Sequence, residues 1–229
     1  METLFNGYSL DIAPGTFPLS TDSMALADFV KLPKHSRVLD LVSGCGTIGI
    51  LLCAKDSCCS VTGIEIDENA HAMALKNRED NHLQDRFTSI CGDFTAITSL
   101  VAPGSFDVCV SNPPYFTAGF LSQSVPLARH EQSCSLDALM NSAAWALKFG
   151  GDFYLVHKPE RLSEIFTAAC AHKLEPKRLC LLRHRESGPV SLVLVQCRKG
   201  AKPGLQWEEA VLHDQNGQQT EYYHRIYHL

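Results

Sequence analysis

The chain has 229 residues, a formal net charge of −5 and ten histidines. Its hydrophobic fraction of 45% and charged fraction of 20% are those of an ordinary globular protein, which excludes a disordered or fibrous chain. The acidic balance does not favour nucleic-acid binding, although a local basic patch can bind nucleic acid on an acidic protein. No apolar run is long enough to cross a bilayer, and the first residues lack the basic and apolar regions of a signal peptide. We therefore expect a cytoplasmic protein that does not bind a membrane.

Ten cysteines would indicate a disulfide framework in a small secreted chain. Here they fall mostly in apolar, strand-like or helix-like segments, and there is no CxxC pair to indicate a zinc site. We expect no metal site and reduced, buried cysteines. The residues concerned are Cys91, Cys109, Cys170, Cys180 and Cys197.

Strand-like apolar runs alternate with helix-like stretches along most of the chain. A helix is predicted from a cap at residues 21–23 to Pro33, and later helices at 47–54, 67–81, 136–148 and 161–172, the fourth of the five ended by Gly150 and Gly151. Strands are predicted at 37–42, 60–66, 86–91, 106–110, 153–157, 177–183 and 190–197. This alternation predicts an α/β fold with a mostly parallel seven-stranded sheet, helices on both faces and an antiparallel hairpin at one edge.

Acidic residues lie at the ends of three successive predicted strands. Asp40 lies near the end of the first strand, Glu65 ends the second, and Asp93 follows the third. The carboxyl ends of parallel strands meet at one edge of a sheet, where ligands bind. Gly44 and Gly46 follow the first strand and let a ligand approach the backbone closely. Carboxylates at this place favour a cationic ligand over a pyrophosphate.

Two of these acids match parts of a nucleoside. A carboxylate in the position of Glu65 can bind both hydroxyls of a ribose. Asp93 can accept a hydrogen bond from an adenine amino group, with Phe94 against the ring. A ligand with a ribose, an adenine and positive charge is S-adenosylmethionine. Any one acid alone is explained as a loop cap, but three in register beside a glycine loop favour this ligand.

The segment SNPPYF stops the fourth strand, because proline has no N–H to donate to a sheet. The Asn112 side-chain oxygen and the Pro113 carbonyl form an acceptor pair for the hydrogens of a planar amino group, and Pro114 helps to hold that carbonyl rigid. Tyr115 and Phe116 offer faces for stacking. Methyl transfer from a sulfonium would then need positioning and electrostatics rather than a strong general base. The competing explanation is a turn with a buried tyrosine.

Seven segments together resemble one family of enzymes. They are LSTDSMALADF, DLVSGCGTIGI, GIEID, SNPPYF, ARHE, FGGDFYLVHKPERL and LVLVQCRKGAKPGL. The chain resembles the Rossmann-like class I S-adenosylmethionine-dependent N-methyltransferases with an NPPY motif. Among them it is most similar to the bacterial tRNA1(Val) (adenine-37-N6)-methyltransferase family, which modifies the adenosine next to the anticodon. Many N-methyltransferases share the NPPY and glycine-loop motifs. The segments ARHE, HKPERL and RKGAKPGL are the ones that indicate this particular family.

The resemblance implies a role for each matching residue. The catalytic set would be Asn112, Pro113, Pro114 and Tyr115. The cofactor site would comprise Asp40, Ser43, Gly44, Gly46, Glu65, Ile66, Asp93, Phe94 and Asn112. The substrate tRNA would contact Tyr115 and Phe116, with Arg129, Lys158 and Arg161 facing its phosphates. Solvated surface charge is at least as good an explanation for any single one of these cations.

The sequence departs from the family pattern at Val42, where a glycine usually follows Asp-Leu. Valine is β-branched and disfavours positive φ, so either the backbone stays extended there or cofactor affinity is reduced. We expect one domain over residues 1–229, with an N-terminal lid and helix segment at 1–33, a catalytic core at 34–200 and a tail at 201–229. The protein would act as a monomer or homodimer.

Other functions remain open on the sequence alone. Release-factor glutamine methyltransferases also carry NPPY, but they usually have an N-terminal helical domain, and this chain has only a short stretch before its first strand. An enzyme acting on N2 of guanine in rRNA could use the same motif. A protein that binds the cofactor without catalysis is the third alternative, and Val42 is its only support.

Overall fold

An eight-stranded, mostly parallel sheet forms the centre of the protein. The computed structural model describes residues 2–15, 19–115 and 135–228. The strand order is β10-β8-β9-β7-β6-β3-β4-β5, and only β9 runs antiparallel to its neighbours. The strands are β3 (Arg37–Leu41), β4 (Ser60–Glu65), β5 (Phe87–Cys91), β6 (Phe106–Ser111), β7 (Leu147–His157), β8 (Leu174–Arg185), β9 (Val190–Lys199) and β10 (Gln206–His213). A separate hairpin pairs β1 (Glu2–Thr3) with β2 (Ser9–Leu10).

Helices cover both faces of this sheet. In the described residues they are α1 (Thr21–Phe29), α2 (Thr47–Lys55), α3 (Glu68–Asp80), α4 (Ile97–Leu100), α5 (Leu136–Ala146), α6 (Leu162–Ala171) and α7 (Glu221–Tyr227). Successive strand residues point to opposite faces, so Val38 packs in the core beneath α1 and α2 while Leu39 packs beneath α5 and α6. None of these helices is long and apolar enough to cross a membrane.

The predicted fold class is confirmed, with differences in detail. One strand more than predicted is present, since β10 pairs in parallel with the outer side of β8. The hairpin of β8 and β9 therefore lies one strand inside the edge. The burial of Ala210 and Leu212 on one face explains why this part of the tail joins the sheet.

Two helices end more than one residue before their predicted ends. The first begins at Thr21, with the Ser20 side chain accepting from the backbone of Ser23, and ends at Phe29 rather than Pro33. The helix predicted to end at the Gly150-Gly151 pair ends at Ala146, because β7 begins at the next residue.

The chain reverses its direction of travel across the sheet between β3 and β6. From β3 it proceeds to β4 and β5 on one side, then returns to place β6 on the other side of β3. A parallel sheet leaves a crevice at such a switch point, beyond the carboxyl ends of its strands. The Ser111 hydroxyl donates to the Leu41 carbonyl at 2.7 Å and ties the two strand ends together. The glycine loop after β3 and the NPPY segment after β6 therefore begin next to each other.

Two asparagines, Asn77 in α3 and Asn81 directly after it, hold the N-terminal segment. The Asn81 side chain exchanges two hydrogen bonds, both 2.7 Å, with the backbone of Ser9. Asn77 does the same with Asp11 at 2.8 Å and also donates to the Cys45 carbonyl at 3.0 Å. The two amides thus act as a strand partner for the segment. Asn77, which is buried, joins it to the glycine loop as well.

The cysteines differ in part from the expectation. Cys109, Cys180 and Cys197 are buried as predicted, but Cys91 and Cys170 are exposed, so their predicted burial is wrong. Each of these two lies at the outer end of an element, Cys91 as the last residue of β5 and Cys170 near the end of α6. All nine described cysteines are free thiols.

Asn77→Ala should lower the free energy of unfolding by about 2–4 kcal/mol, because it removes three hydrogen bonds at a buried site. Urea denaturation measures this. Lys76→Ala on the same helix removes only exposed ion pairs with Asp11 and Asp80 and should cost less than about 1 kcal/mol. Equal losses in the two variants would contradict the structural role given to Asn77.

Candidate active site

The glycine loop after β3 is bound to the acid that ends β4. Glu65 is buried, and its Oε2 accepts from the Gly44 N–H at 2.7 Å. Its Oε1 accepts from the Asp67 N–H at 2.8 Å, where Asp67 caps α3. The Ser43 N–H donates to the Ile64 carbonyl at 3.0 Å. These bonds fix the loop against the carboxyl end of β4 and place the Glu65 carboxylate beside the loop backbone.

Close packing explains two of the glycines here. Gly46 has φ +82°, and a Cβ on it would lie 2.9 Å from the Phe87 ring. At Gly63 in β4 a Cβ would lie 2.7 Å from Ser43 Oγ. Any side chain at these positions would push the loop away from the sheet. The sequence identified Gly46 but not Gly63, whose role depends on contact with the neighbouring strand.

Asp40 is a buried carboxyl group that no described residue hydrogen-bonds with good geometry, although the Gly49 N–H lies near enough to influence it. The residue is 1% exposed, and both side-chain oxygens lack a partner. Burial raises the pKa of Asp40 well above its usual value, the nearby Glu65 carboxylate raises it further, and the Gly49 N–H opposes this only in part. Ser43 Oγ is also buried without a partner. These unsatisfied groups beneath the glycine loop fit the cationic end of a ligand.

Val42 adopts a backbone conformation that valine disfavours. Its φ is +65°, in the left-handed region, so the first of the two alternatives, an extended backbone, does not apply, and reduced cofactor affinity stays a prediction. A β-branched residue there costs about 1–2 kcal/mol. Val42 is half-buried and packs against the core beneath α5, which offsets part of this cost. The loop therefore follows the path of a glycine loop with a valine in it.

Three further residues of the predicted cofactor site, Ile66, Asp93 and Phe94, lie just after β4 and β5. Ile66 is 41% exposed directly after β4, an unusual position for a large apolar side chain. Asp93 caps a short 3-10 helix by accepting from the Thr95 N–H at 2.8 Å. Phe94 is 7% exposed and packs in the core, so little of its surface is open to a ligand. Ile66 offers the more open apolar surface.

The NPPY segment contacts the first turn of α1. Asn112 Nδ2 donates to Ser23 Oγ at 3.2 Å. The Tyr115 hydroxyl lies 2.6 Å from Asp22 Oδ2 and 3.1 Å from Asn112 Oδ1. Burial raises the pKa of Tyr115, and the Asp22 charge adds to the effect, so the phenol stays protonated. Pro113 is buried, which holds its backbone in place beside Asn112.

The ring of Tyr115 is flanked by His157, the last residue of β7, and by Lys158, which follows it. The His157 ring lies 5.0 Å away between centroids, and Lys158 Nζ lies 5.1 Å from the Tyr115 ring centroid. Burial, aided by the Arg161 charge, lowers the pKa of His157 to about 4, so its imidazole is neutral near pH 7. His157 Nδ1 accepts from the Lys158 N–H at 2.8 Å.

The remaining predicted substrate residues are placed only in part. Lys158 is exposed and reaches the Tyr115 ring, which agrees with a position beside the site. Arg161 forms an ion pair with Glu164 on the next helical turn. Phe116 and Arg129 lie outside the described residues.

Sequence reasoning missed three residues around the NPPY segment, namely Asp22, Ser23 and His157. The first two were interpreted only as part of a helix cap, and no spacing links them to a motif that begins near residue 112. His157 ends a buried strand next to the parallel β6, and that position was the available signal.

A cavity of about 990 Å³ lies elsewhere, between the end of α1, β8, β10 and α7. Asp28, Lys55, Arg178, Glu208 and Arg225 are among its lining residues. None of the predicted site residues that the structure describes lines it, and it is bordered by the C-terminal end of α1 rather than by the first turn that meets Asn112. We place the candidate site at the switch point on chemical grounds.

Comparison with known proteins identifies the family to which the chain belongs. The methyltransferase small domain family matches residues 19–168, a span that includes both the glycine loop and the NPPY segment. The chain belongs to this family, and its Rossmann-like sheet with a glycine loop is that of an S-adenosylmethionine-dependent methyltransferase. A predicted O-methyltransferase from Agrobacterium tumefaciens has the same fold, with a TM-score of 0.76 at 19% identity over 91% of this chain and 96% of that one.

The chain is also similar to two curated proteins, and both are named tRNA1(Val) (adenine(37)-N6)-methyltransferase. The protein from Shewanella halifaxensis is 30% identical over 182 residues, which cover 79% of this chain and 72% of the relative. That from Photobacterium profundum is 26% identical over 215 residues, covering 92% and 90%. The family expected from the sequence motifs is thereby confirmed.

Asp40→Asn should raise the free energy of unfolding of the cofactor-free protein at pH 7 by about 1–3 kcal/mol, because a neutral amide costs less to bury than an unpaired carboxylate. The raised pKa of Asp40 means that the wild-type protein gains stability below the ordinary pKa of aspartate and loses it as pH rises through the folded-state value. Urea denaturation across pH measures both effects. An unchanged or lowered stability at pH 7 would contradict the unpaired state of Asp40.

Proposed function

We propose that the protein transfers a methyl group from S-adenosylmethionine to the exocyclic N6 of an adenosine in the anticodon loop of tRNA(Val). The observation that carries this proposal is the position of Asn112 and Pro113 at the carboxyl end of β6, directly beside the glycine loop that follows β3. The names of the relatives support the choice of tRNA adenine over the glutamine and guanine alternatives.

The cofactor would lie across the ends of β3, β4 and β5. Its cationic methionine end would take the unsatisfied Asp40 carboxyl and Ser43 hydroxyl, with the backbone of Gly44 and Gly46 close by. Glu65 would bind the ribose hydroxyls. To do so it must share or give up its present bond to the Gly44 N–H. When bound, S-adenosylmethionine supplies a methyl group made electrophilic by the attached sulfonium.

Ile66, Asp93 and Phe94 would form the adenine end of the cofactor site. Ile66 provides an exposed apolar surface for one face of the ring. Asp93 Oδ1 already accepts one backbone hydrogen bond, which leaves Oδ2 for an amino group. Phe94 contributes mainly by fixing the backbone, since its ring is buried.

The protein's part in the chemistry is to hold the target amino group. Asn112 Oδ1 and the Pro113 carbonyl would accept its two hydrogens, which draws the nitrogen lone pair out of conjugation with the ring and aims it at the methyl carbon. The new N–C bond forms as the S–C bond breaks, and the extra proton on nitrogen leaves to water. Fixed acceptors of this kind act through positioning and electrostatics. The neutral His157 beside Tyr115 adds no positive charge to the base site.

The target base would stack near Tyr115 and, further along the chain, Phe116. Lys158 now covers one face of the Tyr115 ring, so a stacking base must displace its ammonium group or use the other face. A displaced Lys158 could contact a phosphate next to the base, as could Arg161 and Arg129. An anticodon-loop base is already unpaired, which lowers the cost of presenting it to the site.

The first experiment is methyl transfer from labelled S-adenosylmethionine to unmodified tRNA, followed by nucleoside analysis of the digested product. We expect N6-methyladenosine in tRNA(Val). Label in rRNA or in a release factor, with none in tRNA, would replace the proposal by one of the alternatives. Cofactor binding without transfer to any of these would favour a non-catalytic protein.

Asn112→Ala should lower the rate of transfer at least about a hundredfold, because one of the two acceptors for the amino group is lost. The dissociation constant for S-adenosylmethionine, measured by calorimetry, should stay close to the wild-type value. Asn216→Ala, in an exposed turn, is the matched control and should be fully active. Loss of cofactor affinity in Asn112→Ala would contradict its assignment to the target amino group.

Asp40→Ala should weaken binding of S-adenosylmethionine at least about tenfold, because it removes the buried negative charge assigned to the methionine end. Asp85→Ala is the control at an exposed position. An unchanged dissociation constant would remove Asp40 from the cofactor site.

A further inference from the structure

The Tyr115 hydroxyl lies between two acceptors but carries a single hydrogen. Its oxygen is 2.6 Å from Asp22 Oδ2 and 3.1 Å from Asn112 Oδ1. A hydroxyl donates one hydrogen at a time, so only one of these oxygens can receive it. The shorter distance is typical of a bond to a carboxylate, whereas the longer one exceeds the usual limit of about 3.0 Å for O–H···O bonds. The hydrogen therefore points to Asp22.

This choice leaves the carbonyl oxygen of Asn112 without a hydrogen from Tyr115. The amide cannot simply turn away, because its Nδ2 donates to Ser23 Oγ at 3.2 Å and Ser23 is buried. Oδ1 is thus held in place with its accepting capacity unused by the tyrosine. It is also the atom that the proposed reaction requires as an acceptor for the target amino group.

We propose that Asp22 is a positioning residue that draws the Tyr115 hydrogen away from Asn112 and so keeps the amide oxygen free for the target amino group. The inference rests on the proposed function and extends the site to α1. Without Asp22 the hydroxyl would turn to Asn112 Oδ1, and the target amino group would compete with it for that oxygen. Asp22 acts through Tyr115 and does not touch the substrate.

A purely structural role for Asp22 predicts a different outcome. Asp22 lies in the first turn of α1, where a negative charge favours the helix dipole. A loss of activity in Asp22→Ala alone would fit either role. The two roles separate in a protein that lacks the Tyr115 hydroxyl, because there the proposed competition cannot occur whereas the helix effect remains.

The test is a double-mutant cycle of Asp22→Ala and Tyr115→Phe, assayed for methyl transfer to tRNA. Asp22→Ala should lower kcat on the order of tenfold, the effect of one competing hydrogen bond. The KM for tRNA and the dissociation constant for S-adenosylmethionine should stay within about twofold of wild type. The double variant should match Tyr115→Phe within about twofold. Asp22→Asn should keep more activity than Asp22→Ala, because its amide oxygen can still accept from tyrosine.

The matched control is Asp28→Ala, on the same helix, whose side chain pairs with Arg225 and does not contact the NPPY segment. Its kcat should equal that of wild type. The same fold-loss from Asp22→Ala in both tyrosine backgrounds would overturn the inference, as would an unchanged kcat with only a lowered melting temperature. Absence of transfer by the wild-type protein would overturn the proposed function first, and this inference with it.

Discussion

The parallel pairing of β3 with β6 is the constraint on which the site depends. It joins a strand that ends in the glycine loop to one that ends in NPPY, although the chain forms β4 and β5 between them. A 2.7 Å hydrogen bond from the Ser111 hydroxyl to the Leu41 carbonyl oxygen joins the ends of the two strands. The glycine loop and the NPPY segment, to which we assign cofactor and target binding, thus meet because of the sheet order.

Around this junction the protein keeps several polar groups poorly satisfied. Asp40 and Ser43 are buried without partners in the described part of the chain, and Val42 holds a left-handed backbone. Each of these features costs stability, and their concentration at the end of β3 and in the loop that follows is typical of a binding site rather than of a structural core. A bound cation would recover part of the cost. For the same reason we expect the protein without a bound cation to be less stable than the protein with one.

The target side of the site is organised by contacts from distant parts of the sequence. Asn112 and Tyr115 are held by Asp22 and Ser23 of α1, and the C-terminal helix reaches the same turn through a 2.7 Å bond between Tyr227 and Thr21. The end of the chain therefore supports the first turn of α1. A change in the C-terminal helix would act on the NPPY segment through that turn.

The sequence by itself determined the fold class, the glycine loop, the three acids and the NPPY segment. These signals are local, because strand periodicity, proline chemistry and the spacing of acids after strands can be read from neighbouring residues. Only the tertiary structure decided what touches them. The positive φ of Val42, the contact of Gly63 with Ser43, the burial of Phe94 and the bond from Tyr115 to Asp22 all depend on strand order and helix packing. Such contacts join residues far apart in the chain, and no local pattern encodes them.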